Sequence, residues 1–288
     1  MIDLVLGIVF FSCILVLFKL FERFKVDNLQ AIVFNYVFCV LLGFFLFSDT
    51  QEPIKHAIAS DWKWLALSTG FFFVVVFNLL ASGAQKVGIT ISTIANKMSM
   101  LIPVVVAIIF YNESSSVLKI IGILLALVGV YLVSTSGSKL SFDKKYLWLI
   151  IIIFVGQGIA DVIFNYSQKF YVEEHEAKLF ISSMFSGAFL VGFSMLAVKL
   201  IQGKSKFHPR NILWGLMVAV PNFLTVYFFY KALESGILEA SRIYPILNMG
   251  VIILSAVIGL LFFNEKLSPS NWFGVLVSLL AIALITFG

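Results

Sequence analysis

The sequence predicts an all-α integral membrane protein of ten transmembrane helices, arranged as a five-plus-five inverted repeat. Three observations predict it. Hydrophobic residues fill 61% of the 288 positions and charged residues only 12%, and the mean hydropathy is +1.04, a balance foreign to soluble domains of this length. The charges fall between apolar blocks about 18–24 residues long, the length that takes a helix across a hydrocarbon layer of roughly 30 Å. The second half of the chain also repeats landmarks of the first. A membrane barrel would show alternating segments of about ten residues. These blocks are apolar on every face, which suits helices whose amides are satisfied internally.

The crossings are expected at 3–21, 29–47, 64–84, 89–110, 117–135, 146–169, 178–200, 211–232, 238–262 and 270–287. The first lacks a basic leader and a small-residue cleavage site and reads as a retained helix rather than a signal peptide. Cys13 and Cys39 sit in the first two blocks, where they read as small buried hydrophobes and not as a disulfide or metal pair. A polar loop, 48–63, with Pro53 and three acidic residues precedes the third crossing. The fourth carries Lys97 and Pro103, the fifth and seventh have small residues four apart (Gly122 with Ala126, Ser183 with Gly187) for close helix contacts, and the eighth contains Pro221.

A shift of 152 positions aligns Phe110-Tyr-Asn-Glu with Phe262-Phe-Asn-Glu, Ser116 with Ser268, Gly122 with Gly274, Leu124 with Leu276 and Leu132 with Leu284. Each half, 1–138 and 139–288, then holds five crossings. An odd number places the second copy upside down in the membrane, the arrangement common in secondary transporters. Helices four and nine ending in Phe-x-Asn-Glu, with a Gly-containing helix after each, resemble the EamA branch of the drug/metabolite transporter superfamily along the whole chain. The family's acidic-basic turn is matched by Glu265-Lys266, while Glu113-Ser114 departs from it. The resemblance implies a plasma-membrane solute carrier, of the bacterial inner membrane, with a central cavity lined by helices one, three, four, six, eight and nine.

Odd-numbered loops carry Arg23 and Lys25, then Lys139, Lys144 and Lys145, then Lys204, Lys206 and Arg210. The positive-inside rule puts these loops in the cytoplasm and both chain ends outside; the resemblance implies cytoplasmic ends. The net charge of +5 is spread over short loops as a topology signal, with no aromatic-interleaved basic patch for nucleic acid.

Ionisable residues at membrane depth cost energy and face a cavity or a partner. Lys97 and Asp161 are the deepest. Ser92, Asn96, Ser99 and Pro103 adjoin Lys97, and Thr93 lies one turn before it. On helix six, Gln157, Asp161, Asn165 and Gln168 recur at helical spacing and share one face. Helix three adds Asn78, Ser82 and Gln85, helix eight Asn222 and Thr225, and helix nine Ser241, Pro245 and Asn248 beside Arg242 and Tyr244.

The candidate binding residues are therefore Lys97, Asp161, Asn96, Asn165, Arg242, Tyr244, Asn78 and Asn248. Lys97, with Arg242, suits a carboxylate or phosphate; Asp161 suits a solute ammonium, or pairs with Lys97 as a structural fastening of helix four to helix six. Glu113 and Glu265 end helices as solvated or capping groups.

His56, His175 and His208 lie in loops, and no metal-binding, nucleophile-elbow or phosphate-loop motif is present. An enzyme is not expected, nor any cofactor or metal, nor direct ATP coupling. Alternating-access transport of a small polar metabolite, an amino acid above all, fits the polar stripes best. The competing readings are export of a lipophilic cation held by Asp161 among aromatic walls, and a receptor or structural membrane protein. The expected partners are the lipid bilayer and a small solute. One chain supplies both halves, so a monomer suffices and a homodimer is compatible.

Overall fold

The computed structural model describes residues 2–46, 53–110, 116–134, 146–234, 240–265 and 267–287; the side chains of 240–245 lie outside that description. The described residues are helical, without strands. The helices are α1 (Ile2–Arg23), α2 (Asn28–Leu41, continued by a π turn Leu42–Leu46), α3 (Pro53–Ala59), α4 (Lys63–Lys86), α5 (Ile89–Met98), α6 (Leu101–Phe110), α7 (Val117–Ser134), α8 (Leu147–Phe170), α9 (Ala177–Ile201), α10 (Arg210–Glu234), α11 (Ala240–Phe263) and α12 (Pro269–Phe287).

Among the described residues, seven spans are long and apolar enough to cross a membrane: α1, α4, Ile89–Val106, α8, α9, Arg210–Phe229 and Ile246–Phe263. Three shorter apolar helices, Asn28–Phe44, Val117–Gly129 and Pro269–Ile285, accompany them.

The helix starts follow local chemistry. Asp27 accepts the Gln30 amide at 3.0 Å and opens α2. Ser116 accepts the Lys119 amide at 3.1 Å before α7, and Ser268 accepts the Asn271 amide at the same 3.1 Å before α12, where Pro269 takes the first helical position.

Two expectations change. The loop at 48–63 contains the short helix α3, and the fourth crossing is two pieces with a turn at Ser99–Met100. Pro103 has no N–H to give the Ser99 carbonyl, and that carbonyl takes the Ile102 amide at 2.9 Å instead, which tightens and ends α5.

Packing runs in matched sets. Helix α4 lies on α8 and α9, α10 lies on α1 and α2, α1 packs on α11 as α8 packs on α5 and α6, and the pairs α2–α9, α5–α11 and α7–α12 each touch. Small residues allow the closest approaches. A Cβ on Gly70 would run into the backbone of Met184, Gly187 and Ala188 of α9, and one on Gly187 would lie 2.8 Å from Leu67 Cα. A Cβ on Gly122 of α7 would likewise lie 3.0 Å from the Ala281 carbonyl oxygen of α12. The expected small-residue contacts at Gly122 and Gly187 are therefore present. Cys39 is buried, whereas Cys13 is exposed on the outer side of α1, contrary to expectation.

Glu265 is a buried cap rather than a solvated end. Its carboxylate accepts the Ile89 amide at 2.7 Å, the Thr90 amide at 3.4 Å and the Thr90 hydroxyl at 3.2 Å. The segment after α11 thus closes the start of α5, satisfying orphan amides and placing a negative group at the positive end of a helix. Gly88 before it has φ +113°, a conformation natural to glycine, and a Cβ there would stand 3.1 Å from the carboxylate.

At the α3 end, Glu176 accepts from the Trp62 indole at 3.1 Å and lies 2.8 Å from His56 Nε2. Partial burial pushes the Glu176 carboxyl up, but the hydrogen bonds from His56, Trp62 and the Glu173 amide outweigh it and hold it below the usual carboxylate range.

Three outcomes follow from this packing. Gly70→Val should lower the unfolding midpoint in nanodiscs by overpacking worth about 1–3 kcal/mol, read by circular dichroism against temperature. Glu265→Ala should cost about 1–2 kcal/mol by uncapping α5, with Glu265→Gln intermediate in the same assay. Because its folded pKa is depressed, Glu176 contributes stability that is present at neutral pH and lost as acid protonates it, below about pH 4. The fluorescence difference between the wild type and Trp62→Phe should change across that range.

Candidate functional site

The polar face of α8 is set by helical geometry. Trp148, Ile151, Ile152, Val155 and Tyr166 are exposed and lie along one side. At 3.6 residues per turn, Gln157 and Asp161 fall on the opposite side and Asn165 toward its edge, and each is half-buried.

Lys97 stands out in the same way. From Val87 to Leu101 every residue is buried except Lys97, which is half-buried. The side chain is carried in the last turn of α5, beside the break at Ser99–Met100, so its stem leaves the packed helix where the backbone turns.

The structure joins these elements through a polar chain. Asn96 donates to the Gln157 side-chain carbonyl at 3.0 Å, Gln157 donates to Asp161 Oδ1 at 2.8 Å, and the Ser99 hydroxyl donates to Asp161 Oδ2 at 3.4 Å. Asp161 is thereby held chiefly by Gln157 of its own helix, because the single Ser99 proton goes first to the Asn96 carbonyl and leaves only a long contact to Oδ2. Lys97 makes no ion pair within 4 Å with Asp161; its ammonium instead lies over the Phe11 ring of α1, 3.6 Å from the centroid. The hydrogen bond that joins α5 to α8 is the one from Asn96 to Gln157, at 3.0 Å.

Among the other expected site residues, Asn248 of α11 is buried and donates to Met100 Sδ at 3.3 Å, which brings it to the turn that follows Lys97. Asn165 stands one turn beyond Asp161 on the same face, outside the hydrogen-bonded chain. Asn78 is half-buried and donates to the Val74 carbonyl of its own helix at 2.9 Å. The side chains of Arg242 and Tyr244 lie outside the described residues, as do Ser241 and Pro245.

Two expected polar groups do other work. Gln85 donates to the Phe18 carbonyl and to Asn28, each at 2.9 Å, and Asn28 also reaches Ser82, so these residues tie α4 to α1 and α2. Asn222 donates to Asn35 at 3.2 Å and fastens α10 to α2. Phe11 was missed by the sequence reading. It lies on the inward side of α1, opposite exposed Ile2, Val5, Val9 and Cys13, and the apolar stretch around it gives no sequence signal for which side that is.

Among the described residues, no group of three or more His, Cys, Asp or Glu side chains is placed to hold a metal ion. Chemically, the arrangement places one cation and one hydrogen-bonded anion, on different helices, inside an apolar bundle.

Comparison with known proteins gives this geometry its setting. The chain is 30% identical over 286 residues to an uncharacterized protein of Haemophilus influenzae, covering 97% of this chain and 96% of that one. The model of the EamA-like transporter family matches residues 1–135 and 169–287, two stretches that take in Phe11, Lys97 and Asn248 and leave out Gln157, Asp161 and Asn165 of α8. A multi-pass helical membrane protein with this match along both halves belongs to the EamA-like transporter family, within the drug/metabolite transporter superfamily, and is a carrier of small solutes rather than an enzyme.

Proposed function

We propose that the chain carries a small polar metabolite bearing a carboxylate, with an amino acid as the leading candidate, across the plasma membrane by alternating access, in export or exchange. The observation that carries this reading is the pair of opposite charges left unpaired with each other, Lys97 over Phe11 and Asp161 held by Gln157 and Ser99, on the inward faces of α5 and α8. A zwitterion meets both: Lys97 takes the carboxylate and Asp161 the ammonium. Asn96, Asn165, Asn78 and Asn248 would serve as neutral hydrogen-bonding groups around it, and Arg242 and Tyr244 are the remaining candidates from the sequence. The inward position of Lys97 disfavours a lipophilic cation, which would meet like charge near Asp161.

The mechanism follows from two halves, 1–138 and 139–288, of five crossings each in opposite orientation. Several observations support ten crossings and this repeat. The three shorter apolar helices added to the seven long spans make ten. Advancing each crossing by five exchanges the packed pairs α4–α9 with α10–α2, and α1–α10 with α8–α4, and returns α2–α9, α5–α11 and α7–α12 to themselves. The Ser116 and Ser268 caps are equivalent in position and bond length. Alternate opening then requires only that the two halves trade conformations around the site.

Purified protein in liposomes, offered each of the twenty L-amino acids and a cationic dye in turn, with and without a pH gradient, tests the reading. Uptake of at least one amino acid is expected, and Lys97→Ala and Asp161→Asn should each reduce it at least about tenfold, the equivalent of 1.4 kcal/mol or more. Unchanged transport in Lys97→Ala with lowered thermal stability would show that the lysine serves the fold alone.

A further inference from the structure

We propose that Phe11 is the positioning residue for Lys97: its ring holds the ammonium in one place, facing the interior, without neutralising it. This rests on the carrier reading, in which Lys97 receives the solute's carboxylate.

The ammonium lies 3.6 Å from the ring centroid, well inside the range at which a cation is attracted to an aromatic face. Phe11 is on the inward side of α1, and Lys97 is the one half-buried position between Val87 and Leu101. The contact is therefore made inside the bundle, where water screens it little.

What distinguishes a ring from the other partners available is charge. A carboxylate at Lys97 would cancel the positive charge that an anionic solute needs. A carbonyl would consume one of the three N–H donors. An aromatic face does neither: it stabilises the cation electrostatically, leaves its full charge, and leaves its donors free on the side away from the ring.

Asp161 is the competitor for the lysine: its carboxylate accepts from Gln157 at 2.8 Å and keeps lone pairs for a further donor. A lysine is a point charge on a flexible four-carbon stem. Freed from Phe11, it would sample several rotamers and swing toward Asp161. Each binding event would then have to re-order the lysine and draw it away from the carboxylate. Holding it beforehand removes that cost, which appears in apparent affinity rather than in the rate of the conformational cycle.

The test uses the full chain in liposomes and the L-amino acid that the wild type takes up fastest. Phe11→Leu fills much the same space without a ring. It is expected to raise KM about tenfold, within the range of a desolvated cation–π contact, with kcat within about twofold. Phe11→Tyr and Phe11→Trp keep an aromatic face and should keep KM within about twofold of wild type. Phe11→Met repeats the comparison should the leucine variant fail to fold.

A second readout needs no solute: the Lys97 ε-methylene carbon–proton signal in nanodiscs, assigned by its disappearance in Lys97→Met. It should be shifted upfield by the ring in wild type and return to the ordinary lysine position in Phe11→Leu. An unshifted wild-type signal overturns the proposal, as does a KM that is unchanged in Phe11→Leu or raised equally in the leucine, tyrosine and tryptophan variants. Those results leave the carrier reading standing while Lys97→Ala still reduces uptake at least about tenfold. Normal uptake by Lys97→Ala overturns both.

Discussion

Holding two opposite charges apart inside an apolar bundle is the constraint around which the neighbouring helices are arranged. A Lys or Asp near the middle of a membrane costs about 2.5–3.5 kcal/mol on insertion scales, and direct pairing would be the simplest relief. Here the relief is divided instead. Asp161 is stabilised by dipoles, through Gln157 and Ser99, with Asn96 fixing Gln157 in turn. Lys97 is stabilised by the face of Phe11. Three helices, α1, α5 and α8, must keep their relative positions for both arrangements to persist.

That positional demand accounts for the close helix contacts elsewhere. Gly70 and Gly187 let α4 and α9 meet backbone to backbone, and Gly122 does the same for α7 and α12. In lipid there is little hydrophobic gain in bringing helices together, so near approach and interhelical hydrogen bonds carry the association. The ties from Gln85 to Phe18 and Asn28, and from Asn222 to Asn35, belong to this second class. They explain why polar residues are found on more helices than line the site.

Hydropathy was enough to locate the apolar blocks, since length and composition are local properties, and the spacing of Gln157, Asp161 and Asn165 was enough to put them on one inward face. Periodicity says which side of a helix a residue occupies and nothing about which neighbour faces it. Ser82 and Gln85 share a face pattern with binding residues, yet they meet α1 and α2. Phe11 is one of 31 phenylalanines, and nothing in its own surroundings separates it from those that face lipid. The break at Ser99–Met100 was half legible: Pro103 announces a lost hydrogen bond, but a proline can bend a helix without ending it, and only the Ile102 bond to Ser99 decides. Glu265 lies 176 residues from the Ile89 amide it accepts, a pairing that no local pattern encodes.

The Glu265 contact changes what kind of site this is. Helix α5 has only ten residues. Its first turn is capped by a carboxylate from the segment following α11, and its last turn carries Lys97 into the break before α6. The ring over the lysine comes from α1, whereas the carboxylate beside it and the asparagine at Met100 come from α8 and α11. Residues from early and late in the chain therefore alternate around one point. A short helix closed at one end and turned at the other has few ways to move its last side chain independently. Any rearrangement of the segment after α11 relative to α1 must act on the position of Lys97 through the backbone of α5 itself. On the proposed reading, the charge offered to the solute depends on residues from both ends of the chain, and the hydrogen bonds that cap α5 support it from the far end of that helix.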